Sequence, residues 1–214
     1  MIVINQSANV FLDVLTLRAR VAAEAHLQRA LDARCPAPPA ARTVARRLVS
    51  AGLVQAARVS VAYPELTAPL YRCNSRQGTP DFHAACYQLD KRWRQVTPRR
   101  VTVCWATNKA ARLFGGTARF PAHVTQMEHD LTTTSVLVRL TEIDPDAAAH
   151  WLGEDVLRRD FAPNLPCLAQ MPDAAIVREG VVTTWIEAGG QYAPERLMRL
   201  HEHCRRYGLS YELW

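Results

Sequence analysis

Only two of the chain's 26 basic residues are lysines, Lys91 and Lys109. Residues 128–214 therefore contain no lysine. The runs GxxxxGK[ST], GxGxxG, GxSxG and HExxH are all missing, which sets aside P-loop, dinucleotide, nucleophile-elbow and zincin chemistries. No uncharged apolar run approaches the ~18 residues a spanning helix needs. The opening MIVINQSANVFLDVL has neither a basic n-region nor a small-residue cleavage site, so a cytoplasmic protein without a membrane partner is expected. There is no CxxC pair. Cys35, Cys73, Cys86, Cys104, Cys167 and Cys204 lie far apart and read as core thiols rather than a disulfide framework. His83 and Cys86, together with His201, His203 and Cys204, could supply soft ligands. Their spacing matches no zinc pattern, so zinc is not expected. Nothing singles out a nucleophile for a cysteine–histidine hydrolase.

What is present is an ordinary globular composition, 49% apolar and 21% charged over 214 residues, enough for one large domain or two small ones. The charge is unevenly placed. Residues 1–127 carry 18 Lys/Arg against 6 Asp/Glu, whereas residues 128–214 carry 8 against 14. A basic first half suits a polyanionic partner, and an acidic second half suits other work.

Residues 8–74 read as three helices and a two-stranded hairpin. Val10, Phe11, Val14, Leu15 and Leu17 recur at helical spacing, and a short helix follows over about 22–31. CPAPPA at 35–40 forces a restart. In the third helix, about 40–52, Val44, Ala45, Leu48 and Val49 make the apolar side, and Arg42, Thr43, Arg46, Arg47 and Ser50 fall largely on the other. Val59 and Val61 then alternate with polar neighbours such as Arg58, and Leu70-Tyr71 is expected to return beside them. The phrase ARRLVSAGLVQ followed by a hairpin resembles a winged helix-turn-helix. Its third helix would enter the major groove and its wing would track phosphates. A three-helix module that binds protein is the alternative.

Residues 75–127 read as a basic connector with a helix (HAACYQLDKRWRQV), a strand (VTVCWAT) and a short helix (NKAARLFGG) carrying Lys109 and Arg112. Beyond it, 134–140 looks strand-like. Residues 144–159 look helical, with Asp144 as N-cap and Pro145 at the start. MPDAAIVREGVVTTWIEAGG reads as two strands joined at Glu179-Gly180. A helix over about 193–207 and a closing strand, LSYELW, complete 128–214.

Pro172-Asp173, then a hairpin ending in Glu187, resembles the PD-(D/E)XK nuclease-like fold. The resemblance implies that Asp173 and Glu187 would hold a divalent metal such as Mg, with Glu154 or Asp155 as an upstream helical acid. The lysine position is Gly189. Arg178 and Gln191 are the nearest substitutes. A winged helix, a basic segment, His129-Asp130-Leu131, Pro172-Asp173-Ala174 and a late Glu together resemble the replication-relaxation family of plasmids and mobile elements. The expected fold class is α+β, a winged helix followed by a degenerate restriction-endonuclease-like domain. The resemblance implies a DNA-binding protein whose nuclease-like domain is catalytically inactive and contacts DNA or a protein partner, with no cofactor. The alternatives are an endonuclease using Asp173, Glu187 and Glu154, and an adaptor that touches no DNA.

Overall fold

In a computed structural model the described residues are 4–74, 78–118, 120, 123–161 and 171–214, so Cys167 lies outside them. The chain is mixed α+β. Helix α1 (Gln6–Asp13) is capped by Asn5, whose side chain accepts from the Ala8 amide, and continues as a π-helical turn over Val14–Arg18. There follow β1 (Ala22–Ala23), α2 (Glu24–Arg34), α3 (Ala41–Ser50), β2 (Val54–Val61), β3 (Tyr71–Cys73), α4 (Phe82–Arg94), β4 (Arg99–Ala106) and α5 (Asn108–Phe114). The rest is α6 (Val124–Ile143), α7 (Pro145–Ala149), β5 (Trp151–Gly153), α8 (Glu154–Asp160), β6 (Ala174–Arg178), β7 (Val181–Glu187), α9 (Pro194–Arg206) and β8 (Ser210–Leu213).

Two sheets organise these elements. The first is antiparallel, in the order β1-β4-β2, and its β2–β4 pair runs in unbroken register from Val54↔Ala106 to Val61↔Arg99. The partner expected at Leu70-Tyr71 is therefore not there. Tyr71–Cys73 pairs with β8 instead, and β2 takes β4, from the stretch read as connector. The reason is length and pattern: β4 offers eight residues with Val103, Cys104 and Ala106 buried, against three in β3.

The second sheet has the order β3-β8-β7-β6-β5. Its strands are antiparallel except β7 and β8, which run parallel and are joined by α9, as a parallel pair requires. Side chains alternate between its faces. Ala174, Ile176 and Ile186 face the core shared with α1, α2, α3 and α6. Ala175, Trp185 and Tyr211 face Leu200 and Cys204 of α9. Helix α4 packs on α9 through Ala85, Cys86 and Leu89 against Leu197.

Residues 134–140, expected as a strand, lie in the middle of α6. Their β-branched content favours a strand locally, but α6 is buried on several sides. Met127 and Leu131 pack with Val61 and Val103 of the first sheet, and Val136, Leu137 and Leu140 join the core under the second. The hydroxyls that would oppose burial are satisfied within the helix. Thr132, Thr133, Thr134 and Ser135 donate to the carbonyls of Glu128, His129, Asp130 and Leu131 at 2.8–3.2 Å.

The helix expected over 144–159 is also broken. Asp144 caps α7, accepting from Ala147 N, but Trp151–Gly153 pairs with Ala174–Ile176 as β5. The Trp151 indole, fully buried, donates to Arg18 O at 2.9 Å.

Candidate functional sites: a basic helix face and an acidic cleft

Helix α3 divides cleanly. Ala41, Val44, Ala45 and Leu48 are buried, and Arg42, Thr43, Arg46, Arg47 and Ser50 are exposed. Val49, expected on the apolar side, is 43% exposed. Thr43, Arg46, Arg47 and Ser50 line a groove against the start of α1. Among the described residues none of Arg42, Arg46, Arg47 and Arg58 forms an ion pair. Lys109 Nζ donates to Ala51 O at 3.0 Å, which ties α5 to the C-terminus of α3. Arg112 is exposed three residues further along α5, on the same face.

Arg58 is exposed on β2. The register puts Ala56, Arg58 and Ser60 on one face of the β2–β4 pair with Cys104, Thr102 and Arg100. Cys104 on that face is in the core beneath the helices, so Arg58 and Arg100 continue the helix-bearing side outward. Arg100 was not among the expected contacts. Only the pairing of β2 with β4 reveals it.

The second site forms where α6, the loop before β6, the end of β7 and the start of α9 meet. Asp173 and Glu187 are brought there together. Asp173 Oδ1 is 2.8 Å from His129 Nε2, and Asp173 Oδ2 accepts from Ala188 N at 2.8 Å. Glu187 is fully buried. Its Oε2 accepts from Tyr192 Oη at 3.1 Å and lies 3.8 Å from the Arg196 guanidinium, while its Oε1 has no partner. Arg196 covers the Tyr192 ring at 3.9 Å. Tyr192, Arg196, His129 and Asp173 line one cleft with Arg20, Gln126, Asp130 and Glu154.

The electrostatics follow from burial and proximity. Burial by itself lowers the His129 pKa, but the Asp173 carboxylate, with Asp130 and Glu187 behind it, overcomes this and raises it to about 9. His129 is thus an imidazolium at neutral pH. For Asp173, burial pushes upward but His129 prevails, holding it below its ordinary range. Burial, reinforced by the Asp173 charge, pushes Glu187 well above its ordinary value.

Glu154 is drawn elsewhere. Its carboxylate binds Arg20 at 2.8 Å and Arg158 at 2.6 Å, and only its amide meets Asp173, donating to the carbonyl at 3.1 Å. Asp155 takes Arg20 in a two-pronged pair, both contacts 2.8 Å. The nearest substitutes for the lysine are not at the site either. Arg178 pairs with Asp146 on the surface, and Gln191 is exposed. The cations that do reach the carboxylates, His129 and Arg196, come from two helices. Arg196 could have been found in the sequence as a cation in the first turn of the helix after Glu187.

Asp173 and Glu187 as arranged do not fit a divalent metal. Three of their four oxygens already have protein partners, and the fourth is shut from solvent. Among the described residues no group of three or more His, Cys, Asp and Glu side chains is placed to hold a metal ion. The soft residues weighed for zinc have other roles. His201 Nδ1 lies 3.1 Å from Tyr211 Oη and 3.7 Å from Cys73 Sγ. His203 stacks on Trp185 at 4.6 Å, and Cys86 and Cys204 sit in separate apolar clusters. Among the described residues no helix is long and apolar enough to cross a membrane. No protein-family model, curated protein or solved structure matches the chain.

Proposed function

We propose that this is a DNA-binding protein of the replication-relaxation type, from a plasmid, mobile element or its host. In it α1, β1, α2, α3, β2 and β4 form a winged helix, and the second sheet with its helices forms a nuclease-like domain without hydrolytic activity. One observation carries the DNA reading: α3 turns Arg42, Thr43, Arg46, Arg47 and Ser50 to solvent while its opposite face is core. A helix of that kind fits the major groove, its arginines reaching phosphates or guanine edges. The run α1, β1, α2, α3, β2, with β4 pairing on β2 after β3 and α4 intervene, supports the reading, as do Arg58 and Arg100 on one face of the β2–β4 pair. Lys109 and Arg112 extend the basic surface along α5.

The second half of the proposal is supported by the mixed sheet with parallel β7 and β8 and by the meeting of Asp173 with Glu187. Hydrolysis needs a metal held by ionised carboxylates and a positioned water. Here Glu187 is fully buried, Asp173 is engaged on both oxygens, and the lysine position is a glycine. The domain then serves to extend DNA contact or to hold a protein partner.

A mobility-shift titration on duplex and single-stranded DNA, with and without magnesium, tests the proposal. Retarded duplex with no cleaved product in either condition is expected. Absence of any shift would remove the DNA reading, and magnesium-dependent cleavage lost in Asp173→Ala would replace it with an endonuclease.

A further inference from the structure

The cleft that Phe120, His129, Tyr192 and Arg196 line has a volume of about 600 Å³, the size of a pocket for a small ligand and not for a duplex. Its lining offers two kinds of contact. Phe120, 49% exposed, leans on Trp105 with ring centroids 4.5 Å apart. The Trp105 indole is fixed in turn by donating to Gln55 Oε1 at 2.8 Å. A ring braced from behind and open in front is a stacking platform. The second contact is a cation. The Arg196 guanidinium lies over the Tyr192 ring at 3.9 Å, with Nη2 3.2 Å from the Tyr192 hydroxyl, and its side chain is 39% accessible. Its planar fork of donors suits a phosphate. The acids of the lining are matched within the protein, which offsets their repulsion of an anion. Asp173 meets His129 at 2.8 Å, Glu154 meets Arg20 at 2.8 Å, and Asp130 accepts from Gln126 at 2.8 Å.

Resting on the DNA-binding reading above, we propose that this cleft takes an unpaired stretch of a DNA strand, a base stacking on Phe120 and a backbone phosphate meeting Arg196. Stacking of this kind tolerates any base, because every base has a π face, and the phosphate contact is equally blind to sequence. The site is separate from α3. Along β4, Trp105 is on the face opposite that of Arg100, which pairs across from Ser60 on the side of Arg58. A strand in the cleft and a duplex on α3 therefore use different side chains, and each can be removed without the other. No bond is made or broken, so the inference concerns binding and not hydrolysis.

The test is fluorescence anisotropy of a labelled oligothymidylate and, separately, of a labelled duplex, titrated with the full chain. The proteins are wild type, Phe120→Ala, Phe120→Trp, Arg196→Gln and Arg46→Ala/Arg47→Ala, each shown by circular dichroism to be folded. Phe120 is exposed, so its variants keep the test alive should Arg196→Gln not fold. Phe120→Ala should weaken oligothymidylate binding about tenfold, and Phe120→Trp, which keeps a stacking face, should retain it. Arg196→Gln should weaken it and flatten its salt slope by about 0.7. Duplex affinity should not change in these three, whereas the α3 double variant should lose duplex affinity and keep the oligothymidylate. Folded Phe120→Ala and Arg196→Gln proteins that bind the oligothymidylate as wild type does would overturn the proposal. So would loss of that binding in the α3 variant alone, or its displacement by thymidine 5′-monophosphate at the oligomer's own concentration, which would make the ligand a free nucleotide. Wild type that binds the strand in the cleft but no duplex would instead sink the α3 reading, so the two failures are distinguishable.

Discussion

Arg20 and Asp155 are locked in a two-pronged ion pair, Nε to Oδ2 and Nη2 to Oδ1, both 2.8 Å. Arg20 lies between the π-helical turn and β1, and Asp155 lies in the first turn of α8. The same guanidinium reaches Glu154 at 2.8 Å and Asp130 at 3.5 Å, so one side chain ties the N-terminal helices to α6 and to the second sheet. The hydrogen bond to Asp155 leads in strengthening the Arg20 charge, and it outweighs burial.

Replacing Arg20 with methionine keeps the stem but removes the guanidinium shared by Asp155, Glu154 and Asp130, whose Oδ2 already lacks a hydrogen-bond partner. Breaking a buried pair in this way costs about 3–5 kcal/mol. Urea unfolding of Arg20→Met should show a loss of that size, and Arg20→Lys should recover little, because an ammonium cannot form the fork. A loss near zero for Arg20→Met would show the cluster to be a surface network.

Gly189 is the position at which the sequence resemblance implies a lysine, and its backbone leaves no room for a side chain. Its φ is +47°, and a Cβ there would lie 2.5 Å from Trp214 O and 2.3 Å from Leu89 Cδ2. Strain in this left-handed region is about 1–3 kcal/mol, and the clash with a backbone oxygen adds to it. Gly189→Ala should therefore lose at least about 2 kcal/mol. Gly189→Lys should lose at least as much and gain no nuclease activity. A stable lysine variant that cleaves DNA with magnesium would contradict this.

Two histidines set opposing pH responses. His26 is buried, its Nδ1 accepting from Ala23 N and its Nε2 facing Ser135 Oγ at 3.0 Å. Burial, then the Arg29 and Arg99 charges, lower its pKa to about 3. Its contribution is present above pH 6.5 and lost as pH falls toward 3, because the unfolded chain takes up a proton the folded one refuses. His129, raised to about 9, contributes fully below pH 6.5 and loses that contribution as pH rises through 9. Thermal unfolding should thus show a maximum near neutral pH. The acid limb should flatten in His26→Gln and the alkaline limb in His129→Asn. Unchanged limbs in both variants would reject the assignments.

What the sequence made legible is local. Asp144 and Pro145 mark the start of α7, and Glu179-Gly180 closes the β6–β7 hairpin with φ of 51° and 77°, the positive pair a tight two-residue turn needs. The α3 face was readable because its periodicity and its exposure agree. Pairings were not readable where they join distant segments. Tyr71–Cys73 looks like a hairpin return, but its partner lies at 211–213. The middle of α6 looks like a strand because local propensity cannot report that both sheets bury it. Asp173 and Glu187 were found as a motif. Their partners His129 and Arg196 come from α6 and α9, and only the tertiary structure brings them to the two carboxyls.

The central claim is that α3 reads DNA, and the most direct measurement is the salt dependence of duplex binding. Fluorescence anisotropy with wild-type protein and with Arg46→Ala/Arg47→Ala, at several salt concentrations, gives the slope of log affinity against log salt. Each phosphate contact contributes about 0.9 to that slope. Strong, salt-sensitive binding is expected of wild type, and weaker binding with a slope flattened by about 0.9 per lost contact of the folded double variant. Equal affinity and equal slope in the two proteins would contradict it.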